Sequence, residues 1–470
     1  MQTVLELPQL REAALEIFGA ALRSCDAQEA VRRAVHLKGT SLNICDTEFD
    51  LSTSHGRLYS IAIGKAAHKM AAALDELLGE RLKAGLVAGL PLRETGDPLS
   101  SAAHRASSLS KRWRVFAGGH PLPNEESLAA ARAAFELLSR ADNERALVIF
   151  LISGGGSALL EWPRDERVTL KELREANQML VHCGASIAEI NAVRRAISAV
   201  KGGGLARRAP HAEQVSLIIS DTNRGEESAV ASGPTLAPPH NAPDPSVVVA
   251  RYDLTSHLPA SILRALAQSD STKNKLPGET IGKHYVLLTN GDAVAAAAAA
   301  ARRRGFIVEI ASDIIEQEID DGCTQLTARL LAAYRRAATA RAVGERPLCL
   351  LSGGEFACPV RGQGLGGRNS ETALRLALKM REQLMRESID AAPSHTVALS
   401  AGTDGIDGNS PAAGALSDET TIKRAQSLNM DAQEYLSTSD AYSFFAALND
   451  AIMIGPTGTN VRDVRVLLAN

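Results

Sequence analysis

Five strand-to-loop junctions concentrate the residues that could do chemistry. They are Gly64-Lys65, Ser153-Gly154-Gly155-Gly156-Ser157, Ser220-Asp221-Thr222, Ser352-Gly353-Gly354-Glu355 and Gly402-Thr403-Asp404-Gly405. In open parallel sheets ligands bind beyond the carboxyl ends of the strands, so this convergence is the main functional signal. The 153–157 turn offers unhindered backbone N–H groups, a cradle suited to phosphate oxygens. Its plainer reading is a tight strand exit that needs positive φ. It has neither the G-K-[ST] end of a Walker loop nor a G-x-G-x-x-G fingerprint. The 352–355 segment repeats the S-G-G core and reads as a second nucleotide- or phosphate-binding turn. Lys65 opens a helix, where the positive dipole end disfavours a cation unless an anion is bound.

Acids stand near these turns. Asp221, Glu226 and Glu227 follow an apolar strand, and Asp404 and Asp407 lie in G-T-D-G-I-D-G at 402–408. Acids beside phosphate-type turns suit Mg2+ or proton transfer, which makes Asp404 and Asp407 the candidate metal ligands. The plainer readings are Asx-turns for those two and a helix cap for Asp221. Between Arg361 and Arg368 stand four glycines, at 362, 364, 366 and 367. They read as a flexible loop that delivers Arg368 to a helix entry, where its fork can grip a carboxylate or phosphate. Arg194 and Arg195, ahead of Lys201-Gly202-Gly203-Gly204, are either a substrate clamp or a solvated basic face. His120 is either a ligand contact or a satisfied loop histidine.

The elements that must position these residues alternate. Apolar strands are expected at 58–63, 86–88, 115–117, 146–152 and 215–219, with helices at 65–78, 125–138, 170–183 and 187–200 between them. After a proline-rich stretch at 231–245 come strands at 285–289, 306–311, 348–351 and 397–400 and helices around 295–301, 319–341 and 442–448. Strands without polar alternation are buried on both faces, as in a parallel sheet covered by helices. The expected fold is α/β in two domains, 1–240 and 241–470, each built on a mostly parallel sheet flanked by helices.

Composition removes several function classes. The 470 residues are 45% hydrophobic and 22% charged, as in a soluble globular protein with more than one core. A net charge of −3 and an aromatic fraction of 4% give no footprint for nucleic acid or an anionic membrane. There is no run of eighteen apolar residues and no basic-then-apolar leader. Six cysteines without C-x-x-C spacing read as reduced core thiols, hence a cytoplasmic protein. A homo-oligomer is compatible with all of this.

Taken jointly, I-G-K-A-A at 63–67, G-G-H-P-L-P-N at 118–124, I-S-G-G-G-S-A-L at 152–159, N-A-V-R-R at 191–195, I-S-D-T at 219–222, L-S-G-G-E at 351–355, G-G-R-N-S-E at 366–371, G-T-D-G-I-D-G at 402–408 and G-P-T-G-T-N-V at 455–461 resemble the two-domain glycerate 2-kinases with a C-terminal MOFRL domain. The resemblance implies a Rossmann-like N-terminal domain, a smaller MOFRL-type domain and a cleft between them. It implies ATP-dependent phosphorylation of D-glycerate to 2-phosphoglycerate with Mg2+, and carries the family's lysine, aspartate and arginine onto Lys65, Asp221 and Arg368. Arg195 and His120, from the reading of the residues above, are the candidate substrate contacts. Asn460-Val461-Arg462-Asp463 departs from the pattern, which would place Asn before the Asp, and 85–111 reads as a variable insertion. Some members have been labelled hydroxypyruvate reductases. An NAD(P)H-dependent reductase would need a dinucleotide fingerprint, which the sequence lacks. A regulatory nucleotide-binding module and a kinase for another small hydroxy acid are the other rivals.

Overall fold

The computed structural model describes residues 5–52, 57–91, 109–223, 225–272, 282–339, 347–386 and 393–470. Most of the expected 85–111 insertion lies outside them. The chain divides into two compact units, Ala27–Leu287 and a second that joins Met1–Asp26 to Leu288–Asn470. Among the described residues no helix is long and apolar enough to cross a membrane. All six cysteines are unpaired; Cys25, Cys323 and Cys349 are buried as expected, whereas Cys45 is exposed.

Helix α1 (Leu7–Ser24) opens the chain. Leu10, Ala13, Ala14, Ile17, Phe18 and Ala21 recur at helical spacing and all are buried. The unit Ala27–Leu287 begins with α2 (Ala27–Ala34) and an antiparallel meander of β1 (Val35–Lys38), β2 (Ser41–Ile44) and β3 (Thr47–Asp50). These four-residue strands are too short to stand out in the sequence. Then follow β4 (Leu58–Ile63), α3 (Ala67–Leu78), β5 (Leu82–Gly89), β6 (Trp113–Ala117), α4 (Glu125–Asn143), β7 (Leu147–Ser153), α5 (Gly156–Leu159), α6 (Leu170–His182), α7 (Ile187–Ile197), β8 (Glu213–Ile219), α8 (Pro245–Arg251), α9 (Ala260–Thr272) and β9 (Lys283–Leu288). The sheet order is β6-β5-β4-β7-β8-β9, with parallel pairing from β6 to β8. Every residue of β4 and β7 is buried, as continuous apolar runs require. Tyr59, Ile61, Phe150 and Ile152 pack with Ala130, Ala134 and Leu138 of α4.

The division of the chain differs from the boundary expected at 240/241. Beyond the prolines, Val248, Val249, Ile262 and Leu266 of α8 and α9 share one core with Leu173, Leu180, Ile190 and Val193 of α6 and α7. Strand β9 then completes the edge of the first sheet, and α1 belongs with the second unit. Prolines mark a loop but do not determine which core the chain joins next.

The second unit continues with α10 (Asn290–Arg303), β10 (Ile307–Ile310), α11 (Ile319–Thr339), β11 (Leu348–Gly354), α12 (Arg368–Arg386), β12 (Thr396–Gly402), β13 (Gly414–Asp418), α13 (Thr421–Ser427), α14 (Ala432–Ser437), α15 (Ala441–Ala447), β14 (Ala451–Ile452) and β15 (Asp463–Ala469). Its sheet order is β10-β11-β15-β12-β13-β14. The unit is α/β, but its sheet is mixed rather than mostly parallel. Among the described residues of this sheet only β10 and β11 pair in parallel; β15 lies antiparallel between β11 and β12, and β13 pairs antiparallel with both neighbours. An apolar run buried on both faces shows that a strand is central, not which way it runs. One consequence matters below: Asp463, at the head of β15, is paired with Gly354 at the end of β11 and Gly402 at the end of β12.

Candidate active site

In the unit Ala27–Leu287, the exits of β4 and β7 touch. Gly64 adopts φ 115°, and a Cβ there would strike the backbone of Ser153, so glycine alone permits the approach. Two hydrogen bonds tie the exits. The Lys65 N–H donates to Gly154 O at 2.9 Å and the Ala66 N–H to Ser153 Oγ at 3.0 Å. Gly155 is left-handed, with φ 79°, and α5 begins directly after it. The first N–H groups of any helix lack intrahelical acceptors. Around this turn the structure gathers three of the expected residues. A Cβ on Gly154 would fall on the Asp221 carboxylate; one on Gly155 would lie 3.1 Å from Lys65 Cγ and 3.3 Å from His120 Cδ2.

Ser157 extends this arrangement inward. Its Oγ lies 3.0 Å from Ser232 Oγ, and the Ser232 hydroxyl donates to Asn191 Oδ1 at 3.0 Å. Asn191 and Arg195 are one turn apart on α7. The half-buried Arg195 side chain lies against Gly202 and makes no hydrogen bond or ion pair among the described residues. Burial lowers its pKa from the ordinary arginine value. Arg194 is engaged differently, with Nε donating to Asn177 Oδ1 at 2.8 Å. A buried ion pair between Lys201 and Glu161 anchors the start of the 202–204 glycines.

In the other unit, Arg368 is the first residue of α12. Its Nε donates to Asp463 Oδ2 at 2.5 Å, and its Nη2 pairs with Glu355 Oε1 at 2.6 Å. Asn369 Nδ2 donates to Asp463 Oδ1 at 2.9 Å. Burial works against the guanidinium's charge, but Asp463 and Glu355 outweigh it and the arginine pKa is raised. The sequence reading names Asp463 in the 460–463 segment but gives it no role. The available signal was an acid at the head of an apolar strand, two residues beyond the quoted 455–461 motif.

The other expected residues of this unit fall into structural roles. Ser352 Oγ donates to Ile314 O at 2.6 Å and accepts from Arg465, and the Gly354 N–H donates to Asn290 Oδ1 at 2.9 Å. Ser352, Gly353 and Gly354 thus remain strand β11, with partners inside the protein, and Glu355 is the member that reaches Arg368. Asp407 accepts from the N–H groups of Asn369 and Ser370, at 2.9 and 2.8 Å, and from Ser370 Oγ at 2.6 Å. It caps α12, and burial raises its pKa. Asp404 accepts from the Ile406 N–H at 3.2 Å, the Asx-turn alternative. Among the described residues no group of three or more His, Cys, Asp or Glu could hold a metal ion. The glycine-rich segment is pinned, contrary to the flexible loop expected. The N–H groups of Gly364, Leu365 and Gly366 donate to Thr438 O, Asp440 Oδ1 and Asn409 Oδ1 at 3.0, 2.8 and 2.8 Å. A side chain on Gly364 or Gly367 would overlap Asp440 or Asp407. Close approach, not mobility, demands glycine here.

Residues 13–267 match the domain of unknown function DUF4147, and residues 348–463 match the MOFRL family. A glycerate 2-kinase of Pyrococcus horikoshii is 30% identical, covering 98% of this chain and 97% of the relative. A protein of Agrobacterium vitis with the provisional name hydroxypyruvate reductase is 34% identical, covering 97% and 94%. The crystal structure of a glycerate kinase from Thermotoga maritima matches with a TM-score of 0.77 at 28% identity, covering 98% of this chain and 100% of that one. Matches of this extent run through both units, and the chain belongs to the glycerate 2-kinase family, in which a DUF4147 domain is followed by a MOFRL domain.

Proposed function

We propose that the protein transfers the γ-phosphoryl group of ATP to the C2 hydroxyl of D-glycerate, giving 2-phosphoglycerate. The observation that carries this reading is the convergence of Lys65, His120 and Asp221 on the 153–157 turn. Phosphoryl transfer asks a protein chiefly for alignment and cationic charge. Lys65 and the opening N–H groups of the turn receive phosphoryl oxygens, stabilising charge that grows in the transition state. Asp221 accepts the proton of the attacking hydroxyl or orients the metal ion. Arg195 grips the substrate carboxylate and His120 completes the substrate contacts. Arg368, held as a fixed fork by Asp463 and Glu355, is the candidate oxyanion contact of the second unit.

Mg2+ fits this arrangement as a companion of the nucleotide. It keeps several waters and needs only one or two protein carboxylates, and Asp221 stands where Gly154 leaves room beside it. When bound it neutralises phosphate charge. The test is ADP release with ATP, Mg2+ and a panel of hydroxy acids, with the product position read by NMR. D-glycerate-dependent ADP and phosphate on C2 are expected. NADH oxidation with hydroxypyruvate, without ATP turnover, would select the reductase reading that the A. vitis relative's name suggests.

A further inference from the structure

Behind the 153–157 turn lies a backbone feature that the kinase reading does not use. Ala231 and Ser232 both adopt left-handed φ, 50° and 60°, and Gly233 follows at 65°. Residues with a Cβ hold such conformations only where their surroundings impose them, and such positions gather at functional sites. The constraint is visible: the Gly202 N–H donates to Ser232 O at 3.1 Å and the Gly203 N–H to Gly233 O at 2.7 Å. It holds the Ser232 hydroxyl, on a residue 1% exposed, 3.0 Å from both Ser157 and Asn191.

Three polar groups in a row form a chain of hydrogen bonds whose direction can reverse. With Asn191 Oδ1 as acceptor, Ser232 gives its one proton to Asn191 and Ser157 gives its one proton to Ser232. Ser157 then shows only lone pairs to the turn. With the amide turned over, Asn191 Nδ2–H donates to Ser232, Ser232 donates to Ser157, and the Ser157 O–H becomes an outward donor. An anion at the turn favours the second arrangement, and each bond polarises the next.

We propose that Ser157, Ser232 and Asn191 form a reversible relay that delivers a hydroxyl donor to an oxyanion at the 153–157 turn, with Ser232 and Asn191 as positioning residues. The oxyanion is a carboxylate or a phosphoryl group. No bond to hydrogen is broken; the hydroxyls and the amide only reorient. The identity of the ligands rests on the kinase reading above.

The test compares Ser157→Ala, Ser232→Ala, their double variant and Asn191→Asp. ADP release is measured with separate KM values for ATP and D-glycerate, alongside thermal melts. Ser157→Ala should raise the KM of one substrate about tenfold or more, the scale of one hydrogen bond to a charged group. Ser232→Ala leaves the Ser157 proton in place but removes the donor that turns and polarises it, so it should raise the KM of the same substrate about two- to threefold, with a smaller change in kcat. The double variant should match Ser157→Ala, because the chain is already broken. Asn191→Asp, when ionised, can only accept, so it should act like Ser232→Ala, with a lowered melt because residue 191 is only 4% exposed and a buried carboxylate is costly. A raised KM for ATP identifies a phosphoryl oxygen, and a raised KM for D-glycerate a carboxylate. Unchanged KM values in Ser232→Ala and Asn191→Asp, or additive losses in the double variant, overturn the relay and leave the kinase reading standing. A wild-type protein that makes no D-glycerate-dependent ADP overturns the kinase reading. The relay is then decided by the affinity for inorganic phosphate, which should fall in the same variants and refutes it if unchanged.

Discussion

Replacing Arg368 with lysine keeps the charge and removes the fork. In the native protein Nε is bonded to Asp463 and Nη2 to Glu355. A lysine ammonium can reach one of these acids but cannot reproduce both contacts in a fixed plane. A charge-assisted hydrogen bond is worth about 1.5–3 kcal/mol. The Arg368 side chain is 33% exposed and Asp463 only 3%, so solvent weakens the contact on one side and the lower end applies, about 1.5 kcal/mol. A hydrogen bond to a transition-state oxyanion that lysine fails to make costs a similar ~1.5 kcal/mol, about tenfold in kcat/KM; misalignment of the remaining charge extends this to about a hundredfold. The lost contact lies inside the protein, so the stability read from the melt should fall by about the same 1.5 kcal/mol, while the Asp407 cap, which bonds the backbone of Asn369 and Ser370 and not the arginine, persists. Steady-state ADP release and a thermal melt on the same preparation read both quantities. If Arg368→Lys stays within about threefold of wild type, some 0.6 kcal/mol, the fork geometry has no part in the reaction.

The remaining predictions concern the other unit. Lys65→Ala should stay folded, because the strand exits are tied by the backbone N–H groups of residues 65 and 66, yet lose about a hundredfold or more in kcat/KM; near-native turnover would remove Lys65 from the chemistry. Asp221→Asn should lose about 10²- to 10⁴-fold in kcat with the KM for ATP little changed, and a loss confined to ATP affinity would reassign the residue to nucleotide binding. Burial lowers the pKa of His68 and His284 below their ordinary 6.5. The unfolded chain therefore takes up protons first as pH falls, and this stability, complete above about pH 6.5, is lost as pH drops through the lowered values. The melting temperature should be flat from about pH 8 to 7 and fall between about pH 6.5 and 5, and substituting both histidines with asparagine should flatten that step. Carboxylates such as Asp165, held down to about 2 by Arg167, act at lower pH and leave the step distinguishable. A melt that rises on acidification to about pH 5.5 would contradict the assignment.

The strand exits were legible because they depend on local pattern. A continuous apolar run ending in glycine marks both the strand and the point where it stops, so the 58–63 and 146–152 runs placed Lys65 and the 153–157 turn together. Roles that depend on remote partners were not legible. Ser352-Gly353-Gly354 has the same composition as Ser153-Gly154-Gly155, but Arg465 on β15 lies beside it, donating to Ser352 Oγ and to Gly353 O. Nothing near residue 352 announces that arginine. Asp407 looks like a metal ligand beside glycines until α12 places two N–H groups on it. The 362–367 glycines look like freedom until Thr438, Asp440 and Asn409 close on them. In each case the same local feature supports opposite roles, and a partner remote in sequence decides between them. Had β15 paired at the edge of its sheet, Asp463 could not sit between Gly354 and Gly402, and Arg368 would lack its buried partner. The pairing of the last strand, which hydrophobicity leaves undirected, therefore determines whether this arginine is a held fork or a loose surface charge.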